Sequence, residues 1–160
     1  MRHEQPLRIL VACLALALAA ALAPASAQTA ADTMQQVRDS ARKDKRAFVE
    51  QQLKLDEAQA KAFWPLYERY QKELLAINRR STVAVVDYVN VQDRLTDGAA
   101  GQLLRELTAI DTDRAKLKEA YLKRFLKVLP GKQVARYYQL ENKIQAVQEY
   151  DSTSQIPLVK

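Results

Sequence analysis

The sequence predicts an all-α fold of four helices, two of them long. Apolar residues recur at three- and four-residue spacing through most of the chain, as in Phe63, Leu66 and Tyr70, and this spacing is the period of a helix. Only three of the 160 residues are glycine. Residues 82–91 are rich in β-branched side chains, but they continue the helical stripe, and no second strand is apparent for them to pair with. We therefore expect helix there too.

The first 27 residues have the composition of an export signal. Arg2 and Arg8 supply a positive start, residues 9–23 an apolar core, and residues 25–27 a small-residue cleavage site. The apolar core is too short to be a convincing membrane span. We expect cleavage after residue 27, which would leave no stable membrane anchor.

Cleavage would leave residues 28–160 as a single helical domain, of which 155–160 form a tail. This domain would lack cysteine and histidine, because Cys13 and His3 are the only ones in the chain. Thiol chemistry, histidine acid–base catalysis and the usual zinc or copper sites would then be excluded. Neither a nucleotide-binding loop nor a pair of catalytic carboxylates is apparent. We expect no enzymatic activity, no cofactor and no bound metal.

The exported domain would be basic. The whole chain has a formal charge of +6, and loss of Arg2, Arg8 and Glu4 lowers it to +5. A basic surface attracts anionic partners. For an exported protein, acidic protein segments or anionic membrane surfaces are more plausible partners than nucleic acid.

The pattern Leu-x-x-x-Gln stands at the head of two of the predicted helices. In LDEAQ, Asp56 can cap the helix while Gln59 reaches back to the Asp56 amide, which forms a capping box. In LPGKQ, Pro130 has no capping side chain, although proline suits a first helical turn. The motif residues are Leu55, Asp56, Gln59, Leu129, Pro130 and Gln133.

The first two helices are placed by apolar spacing and capping signals. We expect residues 28–32 to be disordered and a first helix to begin at Thr33. The second helix should run from Asp56 to about Asp93, with a kink because Pro65 removes a backbone hydrogen bond inside it.

The last two helices follow turn signals. The third should span about 98–129, with Thr96 or Asp97 as its cap. The fourth should end near Tyr150, and residues 156–159 could dock on the body of the protein. A chain of this size cannot cover two helices of more than thirty residues, so we expect exposed apolar surface, typical of a dimer interface or binding surface.

Two Leu-x-x-x-Gln motifs in a small exported helical protein resemble the Spy/CpxP family of periplasmic proteins, which is named for its LTXXQ motif. The threonine is replaced in both copies here, by Asp56 and by Pro130. The resemblance implies a periplasmic protein with a bent four-helix fold that pairs into a cradle-shaped homodimer.

Two functions follow from this resemblance. It implies an ATP-independent chaperone, or holdase, that binds unfolded or misfolded periplasmic proteins during envelope stress. The CpxP-like branch implies instead a regulatory subunit that docks on the periplasmic domain of an envelope-stress sensor kinase. Both would use a basic helical surface, so the sequence does not separate them.

The candidate binding residues are basic and aromatic. The charged run at 42–46 is more simply a solvated helix face, but it can contribute to a collective surface. Trp64, Tyr67 and Tyr138 sit off the main stripe and are candidates for partner contact, whereas rings such as Phe63 are expected in the core. The basic candidates are Arg42, Lys43, Lys45, Arg46, Arg79, Arg80, Lys116, Lys123, Arg124, Lys127, Lys132 and Arg136.

Overall fold

The computed structural model describes residues 25–159, with side chains from residue 33 onward. Residues 1–24, most of the predicted export signal, lie outside the described residues. The described part contains four α-helices and no strand, which confirms the predicted all-α class. The helices are α1 (Ala25–Leu53), α2 (Glu57–Val91), α3 (Asp97–Phe125) and α4 (Gly131–Thr153).

The helices pack as two antiparallel pairs. α2 and α3 form a hairpin through a short 3-10 turn at Gln92–Arg94. α1 and α4 run in opposite directions, since Arg42 pairs with Asp151 while Gln52, further along α1, meets Arg136. The main apolar core lies where the two pairs meet, and its fully buried side chains include Val49, Phe63, Tyr121, Phe125, Val134, Tyr137 and Ile144.

The far end of the hairpin extends beyond α4. α4 runs parallel to α2, because Gln59 meets Gln133 and Gln71 meets Glu141. At about 1.5 Å per residue, α4 continues about 18 Å past Glu141, whereas α2 continues about 30 Å past Gln71. Ala84 and Tyr88 of α2 and Ile110 of α3 are also buried, but they are not part of the main core.

α1 differs from the prediction in two ways. It begins at Ala25 instead of Thr33, and the alanines at 25, 27, 30 and 31 favour helix in this stretch. It also breaks at Asp44, whose φ of −160° and ψ of 96° are extended. The Asp44 carboxylate accepts a hydrogen bond of 2.9 Å from the Ala47 amide, as an N-cap does. Residues 42–46 are therefore a mostly exposed helix face, as expected, but Asp44 interrupts the helix within it.

α2 begins and ends close to its predicted limits. The capping box is present, because the Gln59 amide donates to Asp56 Oδ1 at 2.8 Å and the Asp56 amide donates to Gln59 Oε1 at 3.2 Å. The helix continues through Pro65 without ending. Residues 82–91 lie within this helix, as predicted.

The boundaries of α3 and α4 each shift by a few residues. Thr96 caps α3, since its hydroxyl accepts from the Ala99 amide at 3.3 Å. α3 ends at Phe125, four residues before the predicted end, and α4 continues to Thr153. The C-terminal tail docks as expected: the Tyr88 hydroxyl donates to the Pro157 carbonyl at 2.9 Å.

Candidate binding surface

The two Leu-x-x-x-Gln motifs meet in the structure. Gln133 Nε2 donates to Gln59 Oε1 at 3.1 Å, so the heads of α2 and α4 lie side by side. Leu129 is buried in the main core and Leu55 is half-buried against it. Pro130 occupies the N-cap position of α4 without a side-chain cap, in agreement with the sequence. These contacts give the motif a structural part in joining two helices.

Aromatic rings fill the core between the helix pairs. Phe63 of α2 lies 5.4 Å from Phe125 of α3 and 5.2 Å from Tyr137 of α4, measured between ring centroids. Tyr67 is only 4% exposed and lies 6.0 Å from Tyr137. The prediction that Tyr67 sits off the core stripe is therefore wrong, because its position on α2 points it at the same ring cluster as Phe63. It offers almost no surface to a partner.

Trp64 and Tyr138 lie at the edge of this ring cluster, half-buried. The Arg46 guanidinium stacks over the Trp64 ring at 4.5 Å, a cation–π contact between α1 and α2. The Tyr138 hydroxyl donates to the Lys118 carbonyl at 2.8 Å. Burial and the nearby Glu141 carboxylate raise the pKa of Tyr138 to about 12. Both rings are already engaged within the chain, and only part of each is open to a partner.

Three of the four cations at 42–46 make ion pairs between helices. Arg42 lies 2.7 Å from Asp151 and Lys45 lies 2.8 Å from Glu141, so both join α1 to α4. Arg46 pairs with Glu68 of α2. Lys43 is exposed, and no ion pair is seen for it among the described residues. The cations of this run therefore mainly attach α1 to α2 and α4 through ion pairs, and they do not form an unpaired surface for capturing a partner.

Glu141 is the buried partner in one of these ion pairs. It is 6% exposed and accepts from Lys45 at 2.8 Å and from Gln71 at 3.0 Å. A buried carboxylate needs such donors, because an unpaired buried charge is costly. One residue from each of α1, α2 and α4 meets here. The separation of these three residues along the sequence concealed the contact, and sequence reasoning missed Glu141.

The other basic candidates divide into paired and unpaired groups. Arg80 bridges the hairpin to Glu106 at 3.0 Å and to Asp113 at 2.6 Å. Lys123 pairs with Glu119, Arg124 lies over the Tyr121 ring, and Arg136 donates to Gln52. Within the described residues, the exposed candidates without an ion pair, a side-chain hydrogen bond or a ring contact are Lys43, Arg79, Lys116, Lys127 and Lys132. The sequence-predicted cations thus do not form one patch, although Lys127 and Lys132 flank the same turn.

An apolar face on α2 was missed by sequence reasoning. Leu75, Val83, Val86 and Val89 are exposed, and at 100° per residue they share one side of the helix with Arg79. The core stripe of this segment, Ala84 and Tyr88, points the other way. The signal was present in the sequence, since valines occur on both sides of the helix between 82 and 91. On α3, Leu104 is also exposed, at 64%.

A groove opens between α2 and α3 near the turn that connects them. Its volume is about 410 Å³, and Ala84, Tyr88, Val91, Leu95 and Leu103 contribute its apolar lining. Asp87 and Glu106 lie at its polar edge. A second opening of about 430 Å³ shares Ala84, Asp87 and Glu106 with the first and adds Arg79, Arg80 and Val83. The exposed apolar face and the groove therefore occupy the same end of the hairpin.

Among the residues that the structure describes, no helix is both long and apolar enough to cross a membrane. In the same residues no group of three or more metal-binding side chains comes together. No protein-family model matches the sequence, and neither a curated protein nor a solved structure is significantly similar to it.

Proposed function

We propose that the protein is an ATP-independent periplasmic chaperone that holds apolar segments of unfolded or misfolded proteins. The observation that carries this proposal is the exposed apolar face of α2, formed by Leu75, Val83, Val86 and Val89. Apolar side chains grouped on one surface are a common feature of protein interaction sites. Holding a client on such a face needs no catalytic group, cofactor or nucleotide.

The charges around this face support a two-step capture. Arg79 lies on the apolar face itself, and unpaired lysines lie elsewhere on the body. Long-range attraction between a basic protein and an acidic client speeds their encounter. Apolar contacts then hold the client, because they are short-ranged and insensitive to screening. The resemblance to the Spy/CpxP family supports the same proposal.

The test is suppression of aggregation for several unrelated unfolded proteins. The purified chain should suppress aggregation of each client, and replacement of Val83, Val86 and Val89 by serine should remove most of this activity. Serine has a helix propensity close to that of valine, so α2 should remain folded. Leu126→Ser is a control, since Leu126 is 50% exposed but lies just after the C-terminal end of α3, away from the hairpin turn.

The result also separates the chaperone from a sensor-docking regulator. A regulator should bind one folded sensor domain and leave unrelated clients to aggregate. An unchanged activity in the triple serine variant would remove the α2 face from the proposal.

We propose that the chain is exported and cleaved after Ala27. The apolar start and the small residues at 25–27 support this. Mass spectrometry of the protein from the periplasmic fraction should give a chain that begins at Gln28. A chain that retains residue 1, or one confined to the cytoplasm, would contradict it.

We propose that the mature protein is a homodimer at micromolar concentration. Support comes from the hairpin end, which extends beyond α4 and exposes apolar side chains on both α2 and α3. Sedimentation should give twice the chain mass. If Val86→Glu then converts the dimer to a monomer, the α2 face is the dimer interface and clients must bind elsewhere. A monomer in the parent protein would contradict the proposal.

A further inference from the structure

The C-terminal tail returns to the hairpin after α4 ends. The Tyr88 hydroxyl donates to the Pro157 carbonyl at 2.9 Å, and Ile156 is half-buried. Leu158 and Val159 are 89% and 62% exposed. The tail is thus held through one main-chain carbonyl, one of its apolar side chains is half-buried, and its last apolar side chains remain in solvent.

Tyr88 belongs to both the tail contact and the groove. Tyr88 lines the groove between α2 and α3, together with Ala84, Val91 and Leu103. Its hydroxyl is held by the tail. A groove of about 410 Å³ falls within the range of about 300–1,000 Å³ that is usual for ligand sites. The tail therefore contacts one residue of the lining, Tyr88, of an apolar groove that is large enough for a few side chains.

The chemistry of the contact is not specific to the tail. A hydroxyl that donates to a main-chain carbonyl recognises the backbone, and every residue of a polypeptide carries such a carbonyl. The adjacent apolar lining selects apolar side chains without fixing their identity. A short non-helical apolar segment of another chain could make the same contacts that residues 156–159 begin to make.

We propose that this groove binds short, non-helical apolar segments of unfolded polypeptides, and that the C-terminal tail competes with them for Tyr88. This proposal rests on the proposed function for the identity of the ligand, and it adds a second site, on the side of α2 opposite the exposed apolar face, together with its regulation. The tail is attached to the protein, so its effective concentration at the groove is high, on the order of millimolar for a short flexible linker. A client must displace the tail before it can use the Tyr88 hydroxyl.

The first test compares client binding by full-length variants. Ile156→Ser should release the tail and raise client affinity about three- to tenfold. If the tail is docked about 70–90% of the time, only about 10–30% of the molecules can bind a client, and the apparent affinity is lower by that fraction. Leu158→Ser is the matched control in the same segment. Since Leu158 is almost fully exposed, this variant should bind like the parent. Equal affinities for Ile156→Ser and the parent would overturn the competition.

Tyr88→Phe shows whether the client and the tail share the hydroxyl. This change frees the tail but also removes the donor that the client would use, so its affinity should stay below that of Ile156→Ser. Adding Tyr88→Phe to Ile156→Ser should lower the affinity again. If Tyr88→Phe binds as tightly as Ile156→Ser, the tail only masks a separate surface, and the shared site is wrong.

The second test does not depend on chaperone activity. A synthetic peptide with the sequence of residues 154–159 is added at millimolar concentration to the Ile156→Ser variant and followed by NMR. Shifts at Tyr88, Val91 and Leu103 are expected, and the same peptide with serine in place of its isoleucine should cause smaller ones. Absence of shifts at these residues would overturn the groove. Peptide shifts without any client binding would keep the groove and contradict the proposed function.

Discussion

Gln59 accepts two hydrogen bonds from different parts of the chain. Its Oε1 accepts from the Asp56 amide at 3.2 Å and from Gln133 Nε2 at 3.1 Å. One side chain therefore caps α2 and joins it to α4. From the sequence alone, Gln59→Ala should cost less than Asp56→Ala, because only the capping box is visible. The contact with Gln133 reverses that expectation.

We expect Gln59→Ala to lower the free energy of unfolding by about 1–2 kcal/mol, through loss of two hydrogen bonds. Asp56→Ala should lower it by about 1 kcal/mol, the usual effect of losing an N-cap. Lys61→Ala on the exposed side of α2 is the control and should change little. Urea melts measure all three, and a Gln59→Ala effect clearly below that of Asp56→Ala would show that the Gln133 contact contributes nothing.

The buried tyrosines predict how stability depends on alkaline pH. Burial, with a further contribution from the charge of Glu141, raises the pKa values of Tyr67, Tyr70, Tyr137 and Tyr138. Such groups keep their proton in the folded state but lose it near pH 10 once unfolded. Ionisation therefore favours the unfolded chain, and stability should fall as the pH rises above about 10.

This fall should be visible as a coupled transition. Above pH 10, tyrosinate absorbance near 295 nm should increase while the helical circular dichroism signal decreases, and both should change over the same pH range. Below that pH, these tyrosines should leave stability unchanged. In a Tyr150→Phe background, which removes the exposed tyrosine, tyrosinate absorbance that develops at pH 10 while the helices remain intact would show that the ring cluster admits water.

At the scale of single helices, the break in α1 is the feature that sequence reasoning did not anticipate. Asp44 lies in a charged run that suits a solvated helix, and nothing local distinguishes it from a helical aspartate. The break is supported by contacts that are distant in sequence: Lys45 pairs with Glu141, and Arg42 pairs with Asp151. These two ion pairs hold the chain on either side of Asp44, so tertiary contacts decide the local conformation.

Asp44→Ala should lower the free energy of unfolding by about 1 kcal/mol, because the Ala47 amide loses its capping acceptor. Asp44→Asn should be close to neutral, since asparagine caps equally well. Lys43→Ala is the neighbouring control. If Asp44→Ala is instead as stable as the parent, α1 gains as much from becoming continuous as it loses at the cap.

Helices with local start signals were the predictable elements. The Asp56–Gln59 box, the Thr96 cap and the stripe through Phe63 and Tyr70 each depend on residues within a few positions of one another. The end of α3 was placed too late because residues 126–128 continue the helical pattern as a turn. The candidate site was less predictable than the fold, since which cations are free depends on their distant partners.

Under the proposed chaperone function, the charge of the whole molecule should control the rate at which it captures clients. Raising salt should slow association with an acidic unfolded client, because the screening length falls from about 10 Å at 0.1 M to about 3 Å at 1 M. Replacement of Lys116, Lys127 and Lys132 by glutamine should slow it as well, without changing the melting temperature. Stopped-flow mixing measures both effects. Association rates that change with neither the salt concentration nor these substitutions would remove electrostatics from the mechanism.

A matched triple variant separates charge from structure. Replacing Arg42, Lys45 and Arg46 by glutamine removes the same net charge, but these residues hold α1 on α2 and α4. This variant should lower the melting temperature as well as the association rate. Equal melting temperatures for the two triple variants would show that the ion pairs of α1 with α2 and α4 add no stability.

The pairing of α1 with α4 sets the order in which a newly made chain can fold. Arg42 and Asp151 are 109 residues apart, so at about 5–20 residues per second α1 waits about 5 to 20 s for its partner to be synthesised. The α2–α3 hairpin needs only its own residues and can form within that interval. During this time the side of α1 that carries Phe48 and Val49 lacks the α4 partner that helps to bury it in the folded protein. The protein therefore passes through a stage in which it exposes the kind of apolar segment that its proposed function would hold.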